Sequence, residues 1–225
     1  MAYNAAAAYA YAHRWAYSRN PRYTSYSNTA NGDGTNFVSQ CLYAGCGVMN
    51  TTSFSGWYYF SRSAVSRSWY DAEALHTFLV TNNGVGPYGY DGSMEQAQPG
   101  DVIQLCYYGN TFTTSLLVVA NRPDILVAGH DYDTDYRHLD DLYYQKRRLI
   151  RITGAKGYAG YYPGGDGGVI YLPPGQPSRP IRPNPPNRPG QPSRPQIPGD
   201  LIPLTPTLPV LPDYQTPMPF AEDEE

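Results

Sequence analysis

At 225 residues the chain has room for one ordinary domain with an extension, or for two small domains. Its net charge is −3 and only 16% of its residues are charged, below the roughly 25% usual for soluble domains. The 23 tyrosines, with Asn, Ser and Thr, must supply much of the polar surface, and no basic patch of the size that nucleic acid requires is present before residue 155.

Proline divides the chain. Of 22 prolines, four (Pro21, Pro87, Pro99 and Pro123) precede residue 160 and 17 lie between Pro173 and Pro219. This predicts a globular domain over 1–155, large enough for a core without metal or disulfide staples. A Gly-rich hinge over 156–172, a proline-rich tail over 173–219 and an acidic terminus over 220–225 follow. The tyrosines point either to contact with protein or sugar, because Tyr brings large area at low entropic cost, or to a Tyr-rich core.

Residues 3–18 are Ala-rich and free of Pro and Gly, which predicts a helix stopped before Pro21. With no basic segment before it and no long Leu/Val run, neither a signal peptide nor a membrane span is expected, and synthesis is expected to be cytoplasmic. A second helix is predicted after Gly32-Asp33, with Phe37, Val38, Cys41 and Leu42 at helical spacing and Gly45 as its end. Ser68, with Asp71 three residues later, predicts the cap of a third helix carrying Trp69, Ala72, Leu75, Phe78 and Leu79. Residues 82–100 read as loop. Strands are predicted at Val102–Tyr108, Phe112–Ala120, Ile125–His130 and Arg148–Thr153, and the glycine run begins at Gly154. Helices first and strands afterwards predict an α+β domain, N-terminal helices packed on an antiparallel sheet.

Cys41, Cys46 and Cys106 form an odd set without paired spacing. They read as buried small hydrophobes in a reducing compartment, with crosslinking between chains as the other reading. No cofactor and no metal are expected.

From Pro174 to Pro198 the prolines recur at every third residue, and the step resumes at Pro203, Pro206, Pro209 and Pro212. Polyproline II has three residues per turn, so the step lines the prolines along one edge of a rod. Arg179, Arg182, Arg188 and Arg194 share another edge. In the second half Ile202, Leu208 and Leu211 share an edge with Thr205. The motif GQPSRP occurs at 175–180 and again at 190–195, which suggests duplication. A solvated linker is one reading. The other is a ligand segment for an aromatic-lined groove, with Ile202, Pro203, Pro206, Leu208, Pro209, Leu211 and Pro212 as the docking residues.

Several motifs carry a resemblance. They are Tyr3-Asn4 with Tyr9-Ala10 and Trp15-Ala16; Asn20-Pro21 with Tyr23; Gly32-Asp33-Gly34-Thr35-Asn36-Phe37-Val38-Ser39-Gln40-Cys41-Leu42; Met49-Asn50; Gly56-Trp57; Ser68-Trp69; Pro99-Gly100-Asp101-Val102-Ile103-Gln104; Phe112 with Ser115-Leu116; and His130 with Asp133, Arg137 and Leu139. Over about residues 3–153 the chain resembles the putative amidase domain of spore-forming and related Gram-positive bacteria, a family similar to papain-like cysteine peptidases of the NlpC kind.

That resemblance implies a cysteine nucleophile between Asp33 and Thr35, where a helix N-terminus lowers a thiol pKa and holds an oxyanion. Here the residue is Gly34. It implies a histidine base directly before Ser115, and here the residue is Thr114, whose hydroxyl cannot serve as general base. The third, orienting position corresponds to His130. Cys41 lies two helical turns from Gly34, about 10 Å along the axis, too far to substitute.

The expectation is therefore a pseudoenzyme. Its cleft floor is widened by the two replacements and its helix-terminal N–H groups are left bare. The first functional reading is a self-assembling structural protein, a homo-oligomer or homopolymer in fibres or layers at the spore surface or exosporium, whose cleft takes the tail of a neighbouring copy. A non-catalytic module that binds cell-wall peptides, and an active amidase with an unorthodox site, are the alternatives.

Overall fold

The computed structural model describes residues 2–29 and 32–158. The hinge beyond Tyr158, the tail with its docking candidates Ile202 to Pro212 and the acidic terminus lie outside the described residues. The chain divides into two units, Met1–Leu172 and Pro173–Glu225, and the described residues belong to the first.

The N-terminal half supplies the helices. α1 (Ala5–Trp15) is capped by the side chain of Asn4, which accepts from the Ala7 N–H, and is shorter than the predicted 3–18. α2 (Gly34–Cys46) is the central helix, with eleven of its residues buried. Its polar residues are held by indoles: Trp57 donates to Ser39 Oγ at 3.0 Å and Trp69 to Asn36 Oδ1 at 2.9 Å. Gly45 does not end it. A Cβ there would come within 2.4 Å of the Tyr3 ring and 3.0 Å of the Asn4 carbonyl, so this glycine permits the close approach of α1. The terminator is Gly47, left-handed at φ 69°.

The predicted third helix is two. Arg67–Tyr70 forms the short α3, and Asp71, not Ser68, caps α4 (Ala72–Thr81) by accepting from Ala74 N–H at 2.9 Å. Ser68 is buried and donates to the Gly56 carbonyl. Between α2 and α3 lies a small hairpin, β1 (Tyr59–Ser61) with β2 (Ala64–Val65), which has no counterpart in the sequence reading.

A six-stranded antiparallel sheet follows: β3 (Gly86–Gly92), β4 (Val102–Cys106), β5 (Thr114–Ala120), β6 (Leu126–Gly129), β7 (Thr134–His138) and β8 (Lys146–Lys156), in the order β3-β8-β4-β5-β6-β7. The α+β class with an antiparallel sheet is as expected. β3 corrects the loop assigned to 82–100. Its Gly, Pro and Asp residues hide an edge strand, where Pro87 is tolerated. β8 runs to Lys156, past the predicted end at Thr153, and takes in Gly154, opposite Tyr88, so the glycine at which the run begins is a strand residue. β7 has no predicted counterpart either, because its half-buried Asp135 and exposed Arg137 and His138 carry little apolar signal.

Residues alternate between two cores. Val102, Leu117, Val119 and Ile150 join α1, α2 and α4 on one face; Ile103, Leu105, Leu116 and Val118 join Leu139 and Leu149 on the other. Burial on both faces explains why β4 and β5 read as continuous apolar runs. All three cysteines are free thiols in the interior. No helix among the described residues is long and apolar enough to cross a membrane.

Candidate functional site

The N-terminus of α2 meets the start of β5 and the chain leaving β6. Gly32, at φ 63°, turns the backbone into Asp33, which is fully buried. Asp33 does not cap α2 with its side chain. Its Oδ1 accepts from Tyr26 N–H at 2.7 Å and from Asn36 Nδ2 at 2.9 Å. Its Oδ2 faces His130 Nδ1 at 2.9 Å and Arg19 Nε at 3.1 Å.

The cap comes from elsewhere. Asp131 Oδ1 accepts from the N–H groups of both Asp33 and Gly34 at 2.8 Å, and its Oδ2 accepts from the Thr114 hydroxyl. The helix-terminal donors are therefore not bare, and the place beside Gly34 is not widened. A Cβ on Gly34 would lie 2.6 Å from Asp131 Oδ2 and 3.0 Å from the Ser115 carbonyl. Glycine at 34 and the carboxylate of Asp131 are a matched pair: the missing side chain makes the room, and the carboxylate takes the two donors and the positive end of the helix dipole.

His130, the expected third position, points away from this place. Its Nε2 donates to the Trp15 carbonyl at 2.8 Å and its Nδ1 faces Asp33, while its ring stacks on Phe37 at 3.9 Å. Both ring nitrogens face acceptors, so no lone pair is offered to the cleft. The residue beside Gly34 and Thr114 is Asp131. Leu117 stands opposite Ala128 in the β5–β6 ladder; that register, continued three residues past the end of β6 at Gly129, sets Thr114 against Asp131, and the two side chains are hydrogen-bonded. Cross-strand register was the signal that identifies it; residue type, which favoured the adjacent histidine, misled.

Burial raises the Asp131 carboxyl above its ordinary value of 3.8, outweighing the lowering by Thr114 and the two N–H groups, with the charge of Asp33 adding to the rise. Burial also raises the Tyr107 phenol, against a lowering hydrogen bond with Thr114 and with a smaller raising contribution from Asp131. Arg19 is engaged by Asp33 and, at 2.7 Å, by Asp133. Asp131 forms no ion pair among the described residues.

The thiols and the hydroxyls nearest the site are held in interior contacts. Burial drives the Cys41 and Cys46 thiols upward, away from thiolate, and Cys106 donates to the Tyr108 carbonyl. The hydroxyls of Thr35 and Ser115 bond each other at 2.9 Å, and Gln104 Nε2 donates to Ser115. These are interior polar contacts without a base beside them. No group of three or more His, Cys, Asp or Glu suited to a metal ion occurs among the described residues.

Above Asp131 lies an open cleft of about 580 Å³, lined by Arg19, Tyr107, Thr113, Thr114, Tyr132 and Asp133 among others. It shares Tyr107 and Tyr132 with a second groove of about 390 Å³, which adds Tyr108, Arg137, Leu142 and Tyr143.

A family model described as a putative amidase domain matches residues 2–153, more than half of the chain. "Uncharacterized protein YhbB" of Bacillus subtilis (strain 168) is 34% identical over 143 residues, covering 60% of this chain and 44% of that protein. The chain thus spans less than half the length of that relative. No solved structure matches it.

Proposed function

The chain belongs to the putative amidase domain family, and on that premise we propose that it is a catalytically inactive member that serves as a self-assembling structural protein. It docks its proline-rich tail on a neighbouring copy and builds a fibre or surface layer, and we place that layer at the spore surface by analogy alone.

The observation that carries the loss of chemistry is the Asp131 carboxylate, bonded to the Gly34 N–H where a nucleophile would sit. Acyl transfer at this place needs a nucleophile, a base and free donors for an oxyanion. Gly34 supplies no side chain, Thr114 no base, and Asp131 puts negative charge where the oxyanion would develop. Losing one member of such a set costs about as much as losing all of it, on the order of 10⁶ in rate.

Support for assembly comes from the tail. Its three-residue proline step suits an extended rod, and residues 173–219 could reach about 140 Å at about 3.1 Å per residue. A head-to-tail contact that does not close on itself propagates.

Electron microscopy of the purified protein tests this. Filaments or sheets that vanish when residues 173–225 are deleted are expected; a monodisperse monomer under all conditions sinks the proposal.

A further inference from the structure

We infer that the joined groove from Asp131 past Tyr107 and Tyr132 to Tyr108 and Tyr143 receives the arginine-bearing part of the tail, residues 176–198, of a second copy. The inference rests on the self-assembly reading and names the surface and the segment.

The groove's chemistry suits an extended proline-rich strand. Tyr108 is 76% exposed, and Tyr132 and Tyr143 are each 64% exposed, so three flat rings stand in solvent around one depression. Rings of this kind pack on proline, and phenol hydroxyls can donate to the carbonyls that polyproline II leaves free. Tyr107 and Tyr132 continue the aromatic lining into the cleft floored by Asp131.

Charge selects which half of the tail fits. Asp131 has no cationic partner among the described residues, and Asp133 shares Arg19 with Asp33. The cleft end of the groove thus holds three carboxylates, Asp33, Asp131 and Asp133, against Arg19 and the imidazole of His130. Residues 173–199 carry four arginines and no acidic residue, whereas 200–225 carry Asp200, Asp213, Glu222, Asp223, Glu224 and Glu225 and no Lys or Arg. The first half complements the cleft, whereas the stretch 201–212 carries no charge to pair with it and is flanked by Asp200 and Asp213, which the cleft repels. This moves the docking segment away from Ile202 to Pro212.

The sequence also repeats the required unit. Each of Arg179, Arg182, Arg188 and Arg194 is followed by proline, and their separations of three or six residues are whole turns of polyproline II, a conformation that would set all four on one edge. A guanidinium seated between Asp131 and the Tyr132 face gains a carboxylate and a cation–π contact together. Four such units in the sequence would offer one groove several equivalent registers, which raises binding statistically.

The test uses the full chain with a photo-crosslinking phenylalanine analogue in place of Tyr143, in a mixture of ¹⁴N- and ¹⁵N-labelled protein. Crosslinks to residues 176–198 of the oppositely labelled chain are expected. Titration with a synthetic 176–198 peptide should show binding that weakens about tenfold for Asp131→Asn or when the peptide's arginines become glutamine. Crosslinks confined to the same chain, to 200–214 or to other surfaces, or equal binding by a 201–213 peptide, overturn the inference. If tail-dependent filaments form while the crosslinks fall outside 176–198, this inference fails and the assembly reading stands. If no filaments form under any condition, the assembly reading fails as well.

Discussion

Replacing Gly34 by alanine distinguishes an empty site from an occupied one by the sign of its effect. At the first residue of a helix with open space beside it, Ala should stabilise relative to Gly by up to about 1 kcal/mol. Here the added Cβ would lie 2.6 Å from Asp131 Oδ2 and 3.0 Å from the Ser115 carbonyl. The side chain can turn away more readily than the backbone can shift, so Asp131 leaves its position. Its bonds to two backbone donors and to Thr114 are then lost. A hydrogen bond to a charged group contributes about 1.5–3 kcal/mol, but this cleft admits water to the carboxylate and the released donors, so the three bonds together cost about 2–3 kcal/mol instead of three times the single value. Set against the helix gain, Gly34→Ala should destabilise by about 1–2 kcal/mol, a fall in melting temperature of roughly 2–8 °C for a domain of this size. Urea titration of the single and double variants checks it. With Asp131→Ala already in place, Gly34→Ala should be neutral or stabilising, a coupling of at least about 1 kcal/mol between the two sites. A Gly34→Ala variant more stable than the parent chain would refute the matched pairing of Gly34 with Asp131.

Other perturbations have equally definite outcomes. The carboxyls of Asp131 and Asp101 are both raised above 3.8, burial being the first cause in each. The folded state therefore holds their protons more tightly than the unfolded one. Their contribution is most favourable below pH 3.8 and is lost as pH rises through the raised folded value, so urea titrations across that window should show a shallower loss for Asp131→Asn than for the parent chain. Asp33→Asn should destabilise by about 3–5 kcal/mol, because it leaves the interior His130 and the guanidinium of Arg19 facing a neutral amide; thermal unfolding reads this directly. Gly45→Ala should cost about 1–3 kcal/mol by overpacking, since its Cβ meets the Tyr3 ring and the Asn4 carbonyl. Gly34→Cys alone should give no amide hydrolysis above background, as Thr114 supplies no base.

Much of the fold was legible because periodicity and capping reported it. Alanine content marked α1, the Phe37-Val38-Cys41-Leu42 spacing marked α2, and Val/Ile/Leu runs marked β4, β5 and β6. What escaped shares a physical character. β3 and β7 lie at the two edges of the sheet and are rich in glycines or polar residues, so neither alternation nor hydrophobicity singles them out. Gly45 is set by the close approach of Tyr3 and Asn4 and Gly47 by its left-handed backbone, a difference that no local pattern contains. At the candidate site the unusual residues Gly34 and Thr114 were visible as departures from a motif, and the structure brings them together. Asp131 was not visible, because its importance comes from standing opposite Thr114 across a ladder and beside a helix end 97 residues earlier. His130 drew attention by its chemistry, yet its nitrogens serve Asp33 and the Trp15 carbonyl.

The measurement closest to the central claim is amide hydrolysis by the purified full chain, assayed on cell-wall peptides and on a generic amide substrate. With Asp131 seated on the α2 donors, no cleavage above the buffer rate is expected. Cleavage that survives replacement of Cys41, Cys46 and Cys106 by alanine, and stops with Ser115→Ala, would contradict the account.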